Sequence, residues 1–293
     1  MAAHGLANVH RIPAPIAMPQ HPHGGRDDHL APLADLTVCP LFVNFLAGKS
    51  VSRAVCEARS VLLGDWLARK RTRGGKLRIY LTILNPEDFR KDLDAMLRGF
   101  YYFAAAHPGN VLLVKAVTSQ SRFSLPDVVA DVVRAKMAPW TNMESDDVVF
   151  FNDFLDDETL SSLYSLADFY LCTSVAEGQN LPLLEAMAHG IVPVAPRHTA
   201  MLDYIAEDNA VIVKHRRVPN DCEHFAACAT GKPFHINRCG FVDVCDALER
   251  SARLSERTRR RISARAIEAV RERYSYEAVW PLLEARLNSA GQA

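Results

Sequence analysis

The sequence predicts an α/β protein built on a doubly wound parallel sheet and closed by C-terminal helices. From Leu77 onward, short runs of β-type apolar residues alternate with segments of helical period. Right-handed crossovers turn that order into a parallel sheet covered on both faces. Between Ala167 and Val194 the alternation is clearest, as apolar run, polar loop, apolar helical pattern and second apolar run. After Gly240 the chain reads as three helices.

Composition bounds the function classes. The chain has 293 residues, 49% hydrophobic and 23% charged, with 34 basic and 34 acidic side chains. These values describe a globular protein of one or two domains with a substantial core. The balanced charge argues against nucleic acid as partner. No apolar run is long enough for a bilayer and MAAHGLANVH lacks a signal-peptide pattern, so a cytoplasmic location is expected. Seven cysteines at irregular spacing read as free thiols. Cys222, His224, Cys228, His235 and Cys239 are zinc-ligand types, but without paired short-range hooks they read as an irregular polar loop.

In chain order, residues 1–50 are rich in Pro and His and read as extended or loop chain, their histidines (His4, His10, His21, His23, His29) as exposed linker residues. Val51 to Arg71 has helical spacing. It ends in the basic cluster Arg69, Lys70, Arg71, Arg73, Lys76 and Arg78, read as a solvated helix end in preference to a contact with an anionic membrane surface. Then come LRIYLTIL (strand), MLRGFYYFAAAH (helix), NVLLVKAV (strand), PDVVADVVRAKM (helix), DVVFFN (strand) and ETLSSLYSLA (helix), with AVIV at Ala210 closing the series. The first strand leads into NPEDFRKD and not into a Gly-x-Gly-x-x-Gly turn, which counts against a nicotinamide or flavin enzyme. Asp92 and Asp94 read as acids favoured at a helix start, so no divalent metal is required. After Val213 the regularity lapses until Gly240.

The loop at 175–180 carries the chemistry. In a doubly wound sheet ligands bind beyond the carboxyl ends of the strands, where helix N-termini offer free amides to anions. Gly178, Gln179, Asn180 and Leu181 supply those amides. Glu177 approaches from the loop, and Glu185 leans back towards it from the helix. Carboxylates accept from hydroxyls and amides suit phosphate, so the pattern calls for a ligand with both groups.

The stretch EGQNLPLLE followed by AMAHGIVPVA resembles the E-x7-E signature of retaining GT-B glycosyltransferases of family 4, commonly EGFGLPLLE and A-M-A-x-G-x-P-V-V-A. The resemblance is strong from about Leu77 to Val213 and weaker from Gly240 to Leu287. It implies a Rossmann-like donor-binding domain at 77–239, C-terminal helices at 240–293, and a linker and helix at 1–76 left from an acceptor-side domain. RIPAPI resembles the segment that leads into such donor domains. The resemblance also implies transfer of a sugar from a nucleoside-diphosphate sugar with retention and without a metal cofactor. Glu177 then meets the donor sugar, Glu185 the ribose, and Lys91 the diphosphate, with Arg90 standing in for a family arginine whose position near Thr82 to Pro86 is not basic here. Asn180 replaces a family Gly, in a place where Asn tolerates left-handed angles. The implied partners are the nucleotide-sugar, a glycan or lipid-linked acceptor, and a partner chain supplying the acceptor domain, in polysaccharide assembly. Two other readings stand beside it: a catalytically incomplete relic or regulatory domain, and an unrelated nucleotide-dependent α/β enzyme.

Overall fold

The computed structural model describes residues 12–19, 25–43, 57–73, 76–117, 143–220 and 235–290. Among the described residues ten strands run in order as β1 (Thr37–Val43), β2 (Val61–Leu62), β3 (Arg78–Leu84), β4 (Asn110–Ala116), β5 (Met143–Phe151), β6 (Phe169–Leu171), β7 (Val192–Ala195), β8 (Val211–Ile212), β9 (Arg216–Pro219) and β10 (His235–Arg238). The helices are α1 (Arg26–Leu30), α2 (Leu63–Arg73), α3 (Leu93–Ala106), α4 (Asp157–Leu166), α5 (Leu181–Ala188), α6 (Phe241–Ala252), α7 (Glu256–Tyr274) and α8 (Tyr276–Ala290).

One eight-stranded sheet takes the order β2-β1-β5-β4-β3-β6-β7-β8. Pairing is parallel from β5 to β8, and β1 and β2 add antiparallel at the β5 side. The chain winds outward from β3 through β4 to β5, then returns to the other flank of β3 with β6 and winds outward again. The direction reverses between β3 and β6, so their carboxyl ends frame a switch-point crevice.

The central strands are apolar on both faces because helices cover both: every residue of β4, β6 and β7 is buried. Tyr80 on β3 stacks on Phe169 of β6 at 4.8 Å and meets Phe100 of α3 edge-on at 5.4 Å. Its hydroxyl bonds Ser251 of α6 at 2.7 Å, which satisfies the one polar atom this ring buries. Beneath the sheet, Asp168 accepts from the amide of Ile79 and from Arg26, locking the starts of β3 and β6 together.

The structure departs from the sequence reading in four places. Thr37–Val43, read as extended or loop chain, is a strand, and the chain before Leu77 contributes β1 and β2 to the same sheet as the chain after it. The helix expected from Val51 to Arg71 is interrupted: residues 57–59 are helical, but Val61 and Leu62 pair with Val38 and Thr37 as a short strand before α2 starts at Leu63. Lys70, read as part of a solvated cluster, has a side chain only 6% exposed and is bound by Asp146 and Asp147. The region of lapsed regularity contains the antiparallel hairpin β9–β10. The expected helix at 126–137, four of the linker histidines (His4, His10, His21, His23), and Cys222, His224 and Cys228 lie outside the described residues.

Candidate functional site

Lys91 ends a short 3-10 turn, Phe89–Lys91, between β3 and α3. Across the switch point, the loop after β6 carries Glu177. The Lys91 ammonium lies 2.5 Å from a Glu177 carboxylate oxygen, with side chains 16% and 6% exposed. Two residues 86 positions apart thus meet where the two halves of the sheet diverge. A small pocket, with room for about one water, is lined by Thr82, Leu84, Lys91, Thr173, Ser174 and Asn180 beside them.

The backbone ties these loops into one unit. Val175 donates to the Arg90 carbonyl at 2.7 Å, and Thr173 Oγ1 donates to the Lys91 carbonyl at 2.8 Å. The hairpin reaches in through Asn237, whose amide donates to the Val175 carbonyl at 3.3 Å. Arg90 points its guanidinium at Asp88, which accepts at 3.0 and 2.6 Å. Burial pushes the Asp88 carboxyl up, but the bonds from Arg90 outweigh it and hold the group below the usual carboxylate range. The guanidinium is therefore already engaged, and Lys91 is the cation presented to the loop.

Asn180 caps α5 in the left-handed region, with φ 62° and ψ 69°. Its side chain donates to Cys172 Sγ at 3.3 Å and makes no cap bond to the helix. Burial pushes the Cys172 thiol up, so it stays a neutral acceptor. Pro182 takes the second helical position, where its missing N–H costs nothing. The first amides of the helix therefore have no side-chain cap, an arrangement that suits an anion. A Cβ on Gly178 would meet no heavy atom within 4 Å, so the backbone there faces open space.

Glu185 projects from α5 towards α4, where Tyr164 donates to it at 2.6 Å. Tyr164 also stacks on His189 at 4.9 Å. Gln179 is fixed at both ends of the residue: its carboxamide exchanges two bonds with the Ala14 peptide, at 2.9 and 2.7 Å, and its carbonyl accepts from Tyr204. The Ala14 segment, part of RIPAPI, also docks on the C-terminal helices through Ile16, whose amide donates to Tyr274.

Three non-glycine residues adopt positive φ among the described residues: Asp92 (46°), Asn180 (62°) and Thr199 (48°). All three belong to the loops around the Lys91–Glu177 pair, although they sit in three separate connections. Such conformations cost about 1–3 kcal/mol each and persist where the surroundings enforce them, most often at functional sites. The sequence reading found the Asn180 position and missed Thr199. No Gly or Asn marks the latter turn.

His198 is buried, 3% exposed, and burial first and His215 second push its pKa down to about 4. Burial also holds His189 and His215 below the usual imidazole range. An unfolded chain titrates these groups near 6.5, so between about pH 6.5 and 4 it binds more protons than the native state. Stability is therefore expected to fall as pH drops through that window, by roughly 3 kcal/mol at most for His198. Urea unfolding at pH 7 and pH 4.5 reads it, and His198→Gln is expected to flatten the dependence. An unchanged slope in that variant would remove His198 as the cause.

Residues 109–230 match the family model described as Glycosyl transferases group 1. Over this span the chain is similar to group 1 glycosyl transferases. The matched span holds Glu177, Gly178 to Leu181 and Glu185, while Arg90 and Lys91 precede it. Two solved synthases share the fold. A UDP-forming trehalose-phosphate synthase from Burkholderia vietnamiensis aligns at 13% identity and TM-score 0.55, over 82% of this chain and 47% of that one. A sucrose-phosphate synthase from Thermosynechococcus elongatus aligns at 19% and 0.53, over 78% and 49%. The C-terminal domain of LpcC, a group 1 family protein from Francisella tularensis, aligns at 16% and 0.48, over 71% and 91%. The chain spans about half the length of the two synthases. No curated sequence relative matches it. The sheet that carries the matched segment has the Rossmann-like fold of a GT-B domain.

Proposed function

We propose that this chain is the donor-binding half of a retaining glycosyltransferase and holds a nucleoside-diphosphate sugar at the β3/β6 switch point. The observation that carries the reading is the meeting of Lys91 and Glu177 across that crevice, beside the uncapped start of α5. In the donor complex Lys91 leaves Glu177 for the diphosphate, joined by amides of Gly178, Gln179, Asn180 and Leu181 with Arg90 at the rim. Glu177 then takes hydroxyls of the sugar and Glu185 those of the ribose. Residues 77–239 bear the site and residues 240–293 brace it.

The chemistry follows from charge. Cleaving the sugar–phosphate bond leaves negative charge on the departing diphosphate, and a fixed ammonium with aligned amides lowers that barrier without a divalent metal. The acceptor, a glycan or lipid-linked sugar, needs a second domain, in the same protein or in a partner chain. A catalytically incomplete, nucleotide-binding or regulatory role is the second reading.

Calorimetric titration with UDP, GDP and ADP and their sugar conjugates, in wild type and Glu185→Ala, tests the reading. Micromolar affinity for one base is expected, weakened about tenfold in the variant, or about 1.4 kcal/mol. A folded chain that binds none of these ligands would sink it as a self-sufficient donor site.

A further inference from the structure

The loop after β7 makes contacts that the donor reading leaves unused. Glu177 is held at both of its peptide groups by one turn: its amide donates to Thr199 Oγ1 at 3.1 Å, and its carbonyl accepts from the Ala200 amide at 3.4 Å. Thr199 makes this contact from φ 48°, where a β-branched side chain crowds its own backbone. Glycine would adopt that angle freely, so what threonine adds is the hydroxyl.

Beside it, His198 Nδ1 lies 3.3 Å from the same Oγ1, and the ring packs edge-on against His215 at 4.7 Å. The opposite nitrogen, Nε2, is buried with no hydrogen-bond partner among the described residues. The imidazole, neutral at pH 7, thus anchors the turn from below while Thr199 stands exposed at the crevice mouth.

We propose that Thr199, seated by His198, is a positioning residue that fixes the Glu177 peptide and so aims its carboxylate at the donor sugar. This rests on the donor-site reading above. Thr199 does not hold the diphosphate. Its loss therefore acts on the sugar-dependent part of binding and leaves the nucleotide part standing.

The test compares wild type, Thr199→Gly and Thr199→Ser by calorimetry with UDP, GDP and ADP and with UDP-glucose, GDP-mannose and ADP-glucose. For the base that binds, Thr199→Gly is expected to weaken the sugar conjugate about tenfold or more while the bare diphosphate changes less than about threefold. Thr199→Ser, which restores the hydroxyl, is expected within about twofold of wild type for both. Melting temperature in Thr199→Gly should stay level or rise, since the left-handed turn relaxes. Equal loss for both ligands, wild-type affinity in the glycine variant, or a serine variant as weak as the glycine one would overturn the proposal. If wild type binds none of the six ligands, the donor-site reading fails by itself, and exchange of the Glu177 amide by NMR decides the positioning. About tenfold faster exchange in Thr199→Gly, with the serine variant unchanged, keeps the Thr199 hydroxyl as the group that holds Glu177. Unchanged exchange removes it.

Discussion

Lys91→Ala is expected to weaken nucleoside-diphosphate binding at least a hundredfold, whereas Glu177→Gln is expected to tighten binding of the bare diphosphate several-fold. The opposite signs follow from one contact. In the donor-free protein the two side chains neutralise each other at 2.5 Å. In the proposed donor site a diphosphate must take Lys91 away from Glu177, so part of its interaction energy goes into breaking that pair. Charge-assisted hydrogen bonds of this kind are worth about 1.5–3 kcal/mol, and a hundredfold is about 2.7 kcal/mol. Removing the carboxylate frees the ammonium for phosphate but deprives the sugar of its acceptor, so Glu177→Gln should bind the sugar conjugate more weakly than wild type. Stability separates from binding in the double variant. Lys91→Ala alone strands a carboxylate whose side chain is 6% exposed, and adding Glu177→Gln relieves that cost without restoring the cation. Calorimetry and urea unfolding on all three variants read the cycle. If Glu177→Gln and Lys91→Ala weaken the bare diphosphate alike, the pair does not compete with the ligand.

Much of this fold was legible because the central strands are apolar on both faces and so appear as continuous runs. LRIYLTIL, NVLLVKAV and the run before Glu177 became β3, β4 and β6, and the three C-terminal helices fell where their periods placed them. β1 was not legible, for a physical reason. TVCPLFV contains Pro40, which cannot donate to a ladder and so argues against a strand. The structure accommodates it with a shift in register against β5 between Pro40 and Phe42. RRVP and HINR, short and polar, form β9 and β10 by pairing with each other, which no local pattern announces. At the site, resemblance to a known signature named Lys91, Glu177 and Glu185, and the helix-start pattern gave the amides. The sequence could not indicate that Arg90 is spent on Asp88, that Gln179 grips Ala14, or that Thr199 supports Glu177. Each of those depends on where a loop turns in space.

Gly99→Ala is expected to destabilise the protein by about 2–4 kcal/mol, against the direction helix propensity predicts. Alanine in a helix interior is worth about 1 kcal/mol over glycine, so at an exposed site the exchange would stabilise. Gly99 instead lies where α3 crosses α6. A Cβ there would meet Val244 Cβ and Cγ1 at 2.6 Å and the Phe241 carbonyl oxygen at 2.9 Å. Two of these three atoms, Val244 Cβ and the carbonyl, cannot rotate away, so the helices must separate. Overpacking of this kind costs about 1–3 kcal/mol and more when backbone has to move. Val244→Ala should not rescue the variant, because it keeps the Cβ that clashes. Gly178→Ala is the control: open space surrounds that position, and its effect on stability should lie within about 0.5 kcal/mol. Thermal unfolding checks the pair, with a fall of roughly 5–15 °C expected for Gly99→Ala. A rise would mean that α3 and α6 slide past each other freely. The displacement should also reach function, since Asp92 caps α3 and Lys91 sits in the turn before it. Donor affinity in Gly99→Ala should therefore fall along with stability, while Gly178→Ala, which crowds the open face of the loop, should lower affinity alone.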